Sequence, residues 1–398
     1  MGAAARFSFQ PARSVTQPPI FAPSPNSIPM LTSLRIQNFR SIRDASVKLG
    51  QVNLFIGPNN SGKSNFLKGI NFISQLIAGQ QISEEEFDQL TTRSSRAVSP
   101  DEHQFQSIQA DFTFNSISPF LIPQSEILLR RGKELIRADS NKFEDEQAYN
   151  AFKNSMSVTE QQKLVDETRT LIKILLANSV IYKPDPSKLA ITYPLAFVDR
   201  IDASGQNISN FLFNLSQNHE HLYLQLRKDF KNCVGSLTRV ATPADPFSAN
   251  LIKLKFFDDK GNFYSADEVS EGVLYFLALL CIIHQPDPPK LLLLEEPEKG
   301  IHPRRIKEVM DFIFELAELR DIQIILTSHS PYVVDHFADI PECISVFDRE
   351  NGETVIRNAG DIITETNEKL ATEGRKPIRY TDSLGEHWVS GFLGGVPV

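Results

Sequence analysis

The sequence predicts an α/β fold in which buried parallel strands share one sheet edge and an antiparallel β lobe accompanies them. Three observations carry this. The apolar run Val52 to Ile56 leads into Gly57-Pro58-Asn59-Asn60-Ser61-Gly62-Lys63-Ser64 and then into a segment with helical spacing. Two further apolar runs, Leu291 to Leu294 and Ile322 to Leu326, each end in polar residues able to do chemistry. Continuous apolar runs of this length suit strands covered on both faces. Elsewhere Phe105 to Phe114 alternates, and Ile127 to Leu129 and Leu135-Ile136 flank a turn at Gly132, the pattern of an antiparallel sheet.

The order strand, glycine-bounded loop, helix matches the phosphate-binding pattern G-x-x-x-x-G-K-[ST]. Gly57 and Gly62 permit backbone angles that a Cβ forbids, so that past Pro58 the N–H groups of Asn59-Asn60-Ser61 and the residues after them can curl round a phosphate. Lys63 supplies a mobile charge, Ser64 can hold a magnesium ion, and Asn65 opens the helix whose positive end adds to the attraction. Phe66, Leu67, Ile70, Ile73 and Leu76 recur at helical spacing behind it.

At 398 residues the chain is long enough for one large α/β domain with a subdomain, or for two or three smaller units. A net charge of −8 argues against a generally basic nucleic-acid binder but leaves room for a local basic groove. Arg130-Arg131-Gly132-Lys133 with Arg137, and Arg304-Arg305 with Lys307, are positive clusters that read first as a solvated hairpin tip and a helix face. Cys233, Cys281 and Cys343 lack metal-ligand spacing and read as reduced thiols of a cytoplasmic protein. The longest apolar stretch, Val273 to Ile283, is too short to cross a bilayer, so no direct membrane insertion is expected.

Residues 1–29 carry six prolines between Pro11 and Pro29 and no acid, which predicts a disordered extension or a start at Met30. Order begins with Leu31 to Ile36, pairing with Ala45 to Leu49. The acidic stretch Ser83 to Asp101 reads as a mobile connection. Residues 139–178 read as a short helical insertion, either a lobe packed on the sheet or a partner-binding arm. A strand through Leu195 to Ile201, helices across Asn207 to Phe230, and a hairpin of Ile252 to Phe257 turning at Asp258 to Asn262 follow.

Glu295-Glu296-Pro297-Glu298 follows the buried run Leu291 to Leu294, which delivers its last side chains to the carboxyl edge of the sheet, where ligands bind in open α/β folds. There Glu295 can hold magnesium and Glu296 can orient and deprotonate an attacking water. Thr327-Ser328-His329 ends the second run and places His329 at the same edge, where it can donate to a γ-phosphate. Ser270 as a cap, with Gly272 allowing close approach, would expose N–H groups at the start of the apolar helix Val273 to Ile283. That makes either a second phosphate contact or an ordinary helix start.

Taken in order, these motifs resemble the ATP-binding-cassette ATPases, and among them the branch containing the SMC, RecF and OLD-type proteins. Leu34-Arg35-Ile36-Gln37-Asn38-Phe39-Arg40-Ser41-Ile42 resembles that branch's first strand. Leu294-Glu295-Glu296-Pro297-Glu298 and Gly300-Ile301-His302-Pro303 resemble the version in its small bacterial ATPases linked to DNA repair and phage defence. The resemblance spans Leu31 to about Arg349 and implies a P-loop NTPase with a mixed central sheet, hydrolysing ATP with Mg2+. It further implies a homodimer clamping two ATP molecules, Ser270 and Gly272 as a signature contacting the partner's ATP, and His329 as the switch histidine.

Ser-Glu-Gly is a reduced form of that signature, and Glu295 stands where aspartate is usual, so slow turnover is expected. The glutamine loop has only Gln106 and Gln109 as candidates. With 69 residues after His329 and no D-x-D cluster, an OLD-type nuclease is not expected in this chain, so an effector would act in trans. The ATPase domain is expected to span residues 30–349. Residues 350–398, with Trp388 among spaced glycines, would form a C-terminal segment that either docks a partner or folds back. The function expected is an ATP-gated dimer coupled to DNA or to an effector. Its rivals are a transporter's ATPase subunit and an ATP-binding module with little turnover.

Overall fold

The computed structural model describes residues 30–81, 83–91, 107–114, 124–130, 133–137, 157–245, 248–299, 301–378, 380 and 383–396. The chain divides into two compact units. One holds Tyr182–Pro289 and Pro297–Leu316; the other holds Pro25–Ile181, Lys290–Glu296 and Ala317–Val398. The expectations for residues 1–29, 92–101 and 139–156 lie outside the described residues.

The second unit opens with the antiparallel pair β1 (Leu31–Phe39) and β2 (Ile42–Lys48), in which Leu34 faces Val47 and Ile36 faces Ala45. β3 (Val52–Ile56), buried throughout, feeds the loop and helix α1 (Lys63–Ile77), which buries Phe66, Leu67, Ile70, Ile73 and Leu76. Part of the stretch expected to be a connection is instead the short helix α2 (Glu84–Leu90). The reason is a capping box: Ser83 Oγ accepts from Glu86 N, and the Glu86 carboxylate accepts from Ser83 N.

β4 (Ser107–Phe114), β5 (Gln124–Arg130) and β6 (Lys133–Arg137) complete a five-stranded antiparallel sheet in the order β2-β1-β4-β5-β6. Arg130 and Lys133 close the β5–β6 hairpin as a pair, while Arg131 and Gly132 lie outside the described residues. Helix α3 (Val158–Leu176) follows and buries Ile172, Leu175 and Leu176, and β7 (Ile181–Tyr182) comes after it.

The first unit contains α4 (Pro186–Leu189), β8 (Tyr193–Pro194), α5 (Ile208–Asn218), α6 (Glu220–Val234) and β9 (Leu237–Ala241). β10 (Ala244–Asp245), β11 (Ser248–Ile252), β12 (Lys255–Asp258), β13 (Phe263–Ser265) and α7 (Glu271–Ile283) complete its main run. Small sheets β10-β11-β8 and β13-β12-β9 lie within it. α7 is buried on all sides from Gly272 to Ile283, as a helix apolar all round must be.

The strand expected over Leu195 to Ile201 does not form. Side-chain amides take the place of a neighbouring strand. Ala196 N donates to Asn210 Oδ1 at 3.2 Å, Asn214 Nδ2 to Val198 O at 2.9 Å, Asn207 Nδ2 to Arg200 O at 3.0 Å, and Ile201 N to Gln285 Oε1 at 3.0 Å. Leu195 N donates to Asn250 O of β11 at 2.7 Å, and beyond it these side chains satisfy part of the backbone in place of a ladder.

β14 (Leu291–Glu295) returns to the second unit, α8 (Pro303–Arg320) follows, and β15 (Gln323–Thr327), α9 (Pro331–Asp335), β16 (Ile344–Glu350) and β17 (Glu353–Asn358) come next. The mixed six-stranded sheet runs β17-β16-β3-β15-β14-β7. Its centre is parallel, with Leu293 beside Ile325, Leu326 beside Leu54, and Val346 beside Ile56. Buried Gln323 stitches β1 to this sheet: its Nε2 donates to Leu31 O and Gly50 O, both at 2.7 Å, and its Oε1 accepts from Leu31 N at 3.1 Å.

The β16–β17 hairpin runs across residue 350, and α10 (Ala359–Thr372) and α11 (Leu384–Val389) follow it. α11 packs on α9, where Gly385 N donates to Asp335 Oδ1 at 2.8 Å and a Cβ on Gly385 would come 2.3 Å from Pro331 O. Trp388 is buried there.

Candidate nucleotide site

The phosphate loop joins the end of β3 to the start of α1. Gly57 has φ +143° and Gly62 φ +112°; a Cβ on the first would fall 2.2 Å from Phe347 O, and on the second 2.2 Å from Thr354 Oγ1. Only glycine satisfies both the angle and the space. Asn59 and Asn60 are exposed at the loop's crest, Pro58 is half-buried, and Asn60 also adopts positive φ. Ser61 is buried, and its Oγ has no hydrogen-bond partner among the described residues.

Lys63, the first residue of α1, is only 6% exposed. Its Nζ donates to Gly57 O at 2.7 Å and Pro58 O at 2.9 Å, so the ammonium rests on the loop's own carbonyls. Burial lowers its pKa to about 8, opposed in part by the charges of Glu296 and then Glu295.

Ser64 donates its hydroxyl to Glu295 Oε1 at 2.7 Å. Glu295 is the last residue of β14, and Thr327 pairs beside it at the end of β15. One residue on, Glu296 takes φ +49°, a left-handed conformation held by its N–H donating to Thr327 O at 3.0 Å. A non-glycine residue there is uncommon, and such strain gathers at working sites. His329 Nε2 lies 3.8 Å from Glu296 Oε1.

The structure therefore gathers Lys63, Ser64, Glu295, Glu296 and His329 at one sheet edge. The second unit also supplies a feature that sequence reasoning missed. Asn65 Nδ2 donates to Ser41 Oγ at 2.9 Å, and Ser41 Oγ lies 2.9 Å from Thr354 Oγ1, the atom that abuts Gly62. The packing of β2 against β17, where Thr354 N donates to Ser41 O at 3.1 Å, creates this chain of bonds, and nothing local to Ser41 or Thr354 signals it.

Ser270 and Gly272 belong to the first unit, at the start of α7. Ser270 occupies the N-cap position, but its side chain caps no backbone N–H. It accepts instead from Arg305 Nη1 at 2.6 Å, a charge-assisted bond that the expectation of a simple cap overlooked. Of the two glutamine-loop candidates, Gln106 lies outside the described residues. Gln109 sits on β4 and donates to Asp111 Oδ1 at 3.2 Å.

The donor set fits a nucleoside triphosphate with magnesium. The loop holds its curl only with glycine at 57 and 62, where a Cβ would strike Phe347 O or Thr354 Oγ1, and among the described residues the buried Ser61 hydroxyl has no hydrogen-bond partner. The Ser64 hydroxyl and Glu295 carboxylate are hard oxygen ligands set side by side.

Among curated proteins, the uncharacterized protein MJECL44 of Methanocaldococcus jannaschii is 49% identical over 43 residues, 11% of this chain and 13% of that protein. The chain thus matches about an eighth of that relative's length. Among solved structures, the SMC head domain from Thermotoga maritima is 13% identical with a TM-score of 0.47, covering 82% of this chain and 98% of that one. The recombination mediator protein RecF of the RecFOR pathway is 14% identical with a TM-score of 0.42, covering 83% and 98%. The family model described as "AAA domain, putative AbiEii toxin, Type IV TA system" matches residues 52–335, from the first residue of β3 to the last of α9. That span is well over half the sequence and holds every residue of the loop and of the sheet-edge cluster, and the chain belongs to this family of AAA domains.

Proposed function

We propose that the chain is an ATPase of SMC/RecF type that works as an ATP-gated homodimer, coupling nucleotide state to DNA or to an effector protein acting in trans. The observation that carries the reading is the convergence of Lys63, the Ser64–Glu295 pair and the Glu296–His329 pair at one edge of the parallel sheet. Lys63 and the loop N–H groups bind the phosphates. Ser64 and Glu295 would hold magnesium, which when bound would neutralise phosphate charge. Glu296 orients the attacking water and accepts its proton, and His329, beside that carboxylate, donates to the γ-phosphate. Ser270, steadied by Arg305, and Gly272 contact the triphosphate held by the other protomer.

Single-turnover hydrolysis on the wild type and Glu296→Gln tests this. The expected result is a fall of at least about a hundredfold in the variant, in the range that a positioned base contributes, with ATP binding and ATP-dependent dimerisation retained. No measurable hydrolysis by the wild type overturns the enzymatic reading.

A further inference from the structure

The first unit carries a cleft of about 700 Å³ between α6, β9 and the β12–β13 turn, a volume within the range of ligand sites. Its floor and walls are cationic. Arg227, Lys228 and Lys231 follow one stripe of α6 at helical spacing, and Arg239 projects from β9. None of the four makes an ion pair among the described residues, and the Nε of Arg227 is buried without an acceptor. Of the two acids at the mouth, Asp258 is occupied by the turn, accepting from Lys260 N, Asn262 N, Asn262 Nδ2 and Tyr264 Oη. Asp259 is exposed.

Aromatic rings stand among these charges. Arg239, Phe257 and Phe263 form one cross-strand row over β9, β12 and β13. The Arg239 guanidinium sits 3.8 Å above the Phe257 ring centre, and Lys255 Nζ lies 4.6 Å from that of Phe263, which is 61% exposed. A guanidinium stacked on a ring presents its outer face and its N–H edge together, a platform for a base next to donors for a phosphate. An acidic peptide would use the cations but leave the rings idle. A duplex would hide its bases from them.

We infer that this cleft binds single-stranded nucleic acid, with phosphates along Arg227, Lys228 and Lys231 and bases on the Arg239–Phe257–Phe263 row. Charge along the backbone and sequence-tolerant stacking are the two components of such binding. The inference deepens the DNA branch of the proposed function by naming the form of nucleic acid and the surface that takes it.

The test is fluorescence anisotropy of a labelled oligo(dT) strand with the full chain, without ATP, from 50 to 200 mM salt. A duplex of equal length, inorganic polyphosphate and poly-glutamate serve as competitors. The strand is expected to bind best. The exposed pair Lys228→Glu and Lys231→Glu is expected to weaken it at least about tenfold and to flatten the salt slope by roughly 1.4, two contacts at about 0.7 each. Phe263→Ala is expected to weaken it about fivefold with the slope unchanged. Absence of strand binding, competitors that bind as tightly as the strand, or variants that bind like wild type overturn the inference. Because ATP is left out, such a failure leaves the ATPase reading standing, and failure of hydrolysis leaves this one standing.

Discussion

Ser64 and Glu295, separated by 231 positions in sequence, are joined by a 2.7 Å hydrogen bond between the first turn of α1 and the tip of β14. Both oxygens suit a hard divalent cation. Glu295→Gln keeps the shape and removes the charge. Its expected effect is a loss of about 10- to 100-fold in the magnesium-dependent part of ATP affinity, with the magnesium-free part unchanged. Titration calorimetry with and without magnesium separates the two.

The left-handed backbone at Glu296 predicts a conflict between stability and activity. Glu296→Gly and Glu296→Ala both remove the carboxylate, but only glycine relieves the angle. The glycine variant is expected to be more stable than the alanine variant by about 1 kcal/mol in urea unfolding, and neither should hydrolyse ATP.

Lys63 predicts proton uptake on nucleotide binding. Its folded pKa of about 8 lies below the ordinary 10.5 because burial disfavours the ammonium. Between those values the unfolded chain binds more protons than the folded one. The contribution of Lys63 to stability therefore rises with pH across that window. Phosphate restores the ammonium, so binding at pH 9 is expected to take up close to one proton and binding at pH 7 about none. Calorimetry in two buffers of different ionisation enthalpy reads this, and Lys63→Met is expected to abolish it.

Gln323 predicts a polar position at which the second unit is sensitive to a single change. Gln323→Ala would deprive buried Leu31 N and Leu31 O of this partner, while Gly50 O keeps its bond from Asn53 Nδ2 at 2.9 Å, at an expected cost of about 2 kcal/mol or more. Gln51→Ala removes one bond, to Ala317 O at 2.9 Å, from a half-buried residue and should cost about 1 kcal/mol. Equal losses in urea unfolding would contradict this account of Gln323.

The central strands were legible because each is a short, unbroken apolar run bounded by residues of another kind. Val52 to Ile56 and Leu291 to Leu294 lie within strands as read, and Ile322 to Leu326 differs from its strand by one residue at each end. The gathering of Glu295, Glu296 and His329 beside Lys63 followed from the rule that parallel strands present their carboxyl ends to one edge. The stretch Leu195 to Ile201 has the apolar content of a strand but, past Leu195, no neighbouring strand to pair its backbone. The amides at Asn207, Asn210 and Asn214, at helical spacing on and just before α5, were the visible signal that side chains do so. The Arg305 bond to Ser270 and the Asn65–Ser41–Thr354 chain had no such signal. They depend on which elements end up adjacent, a property of topology that no local pattern encodes.

The resting place of the Lys63 ammonium, on Gly57 O and Pro58 O, has a bearing on how the site is probed. Those two bonds make the side chain a clasp on the turn as well as a charge. Truncating it to alanine would let the turn open as well as deleting a cation. Weak binding by such a variant would therefore mix two causes. Amide hydrogen exchange across 57–62, compared between the wild type and Lys63→Ala, tells the two apart: faster exchange in the variant marks the sprung clasp, and unchanged exchange leaves only the missing charge.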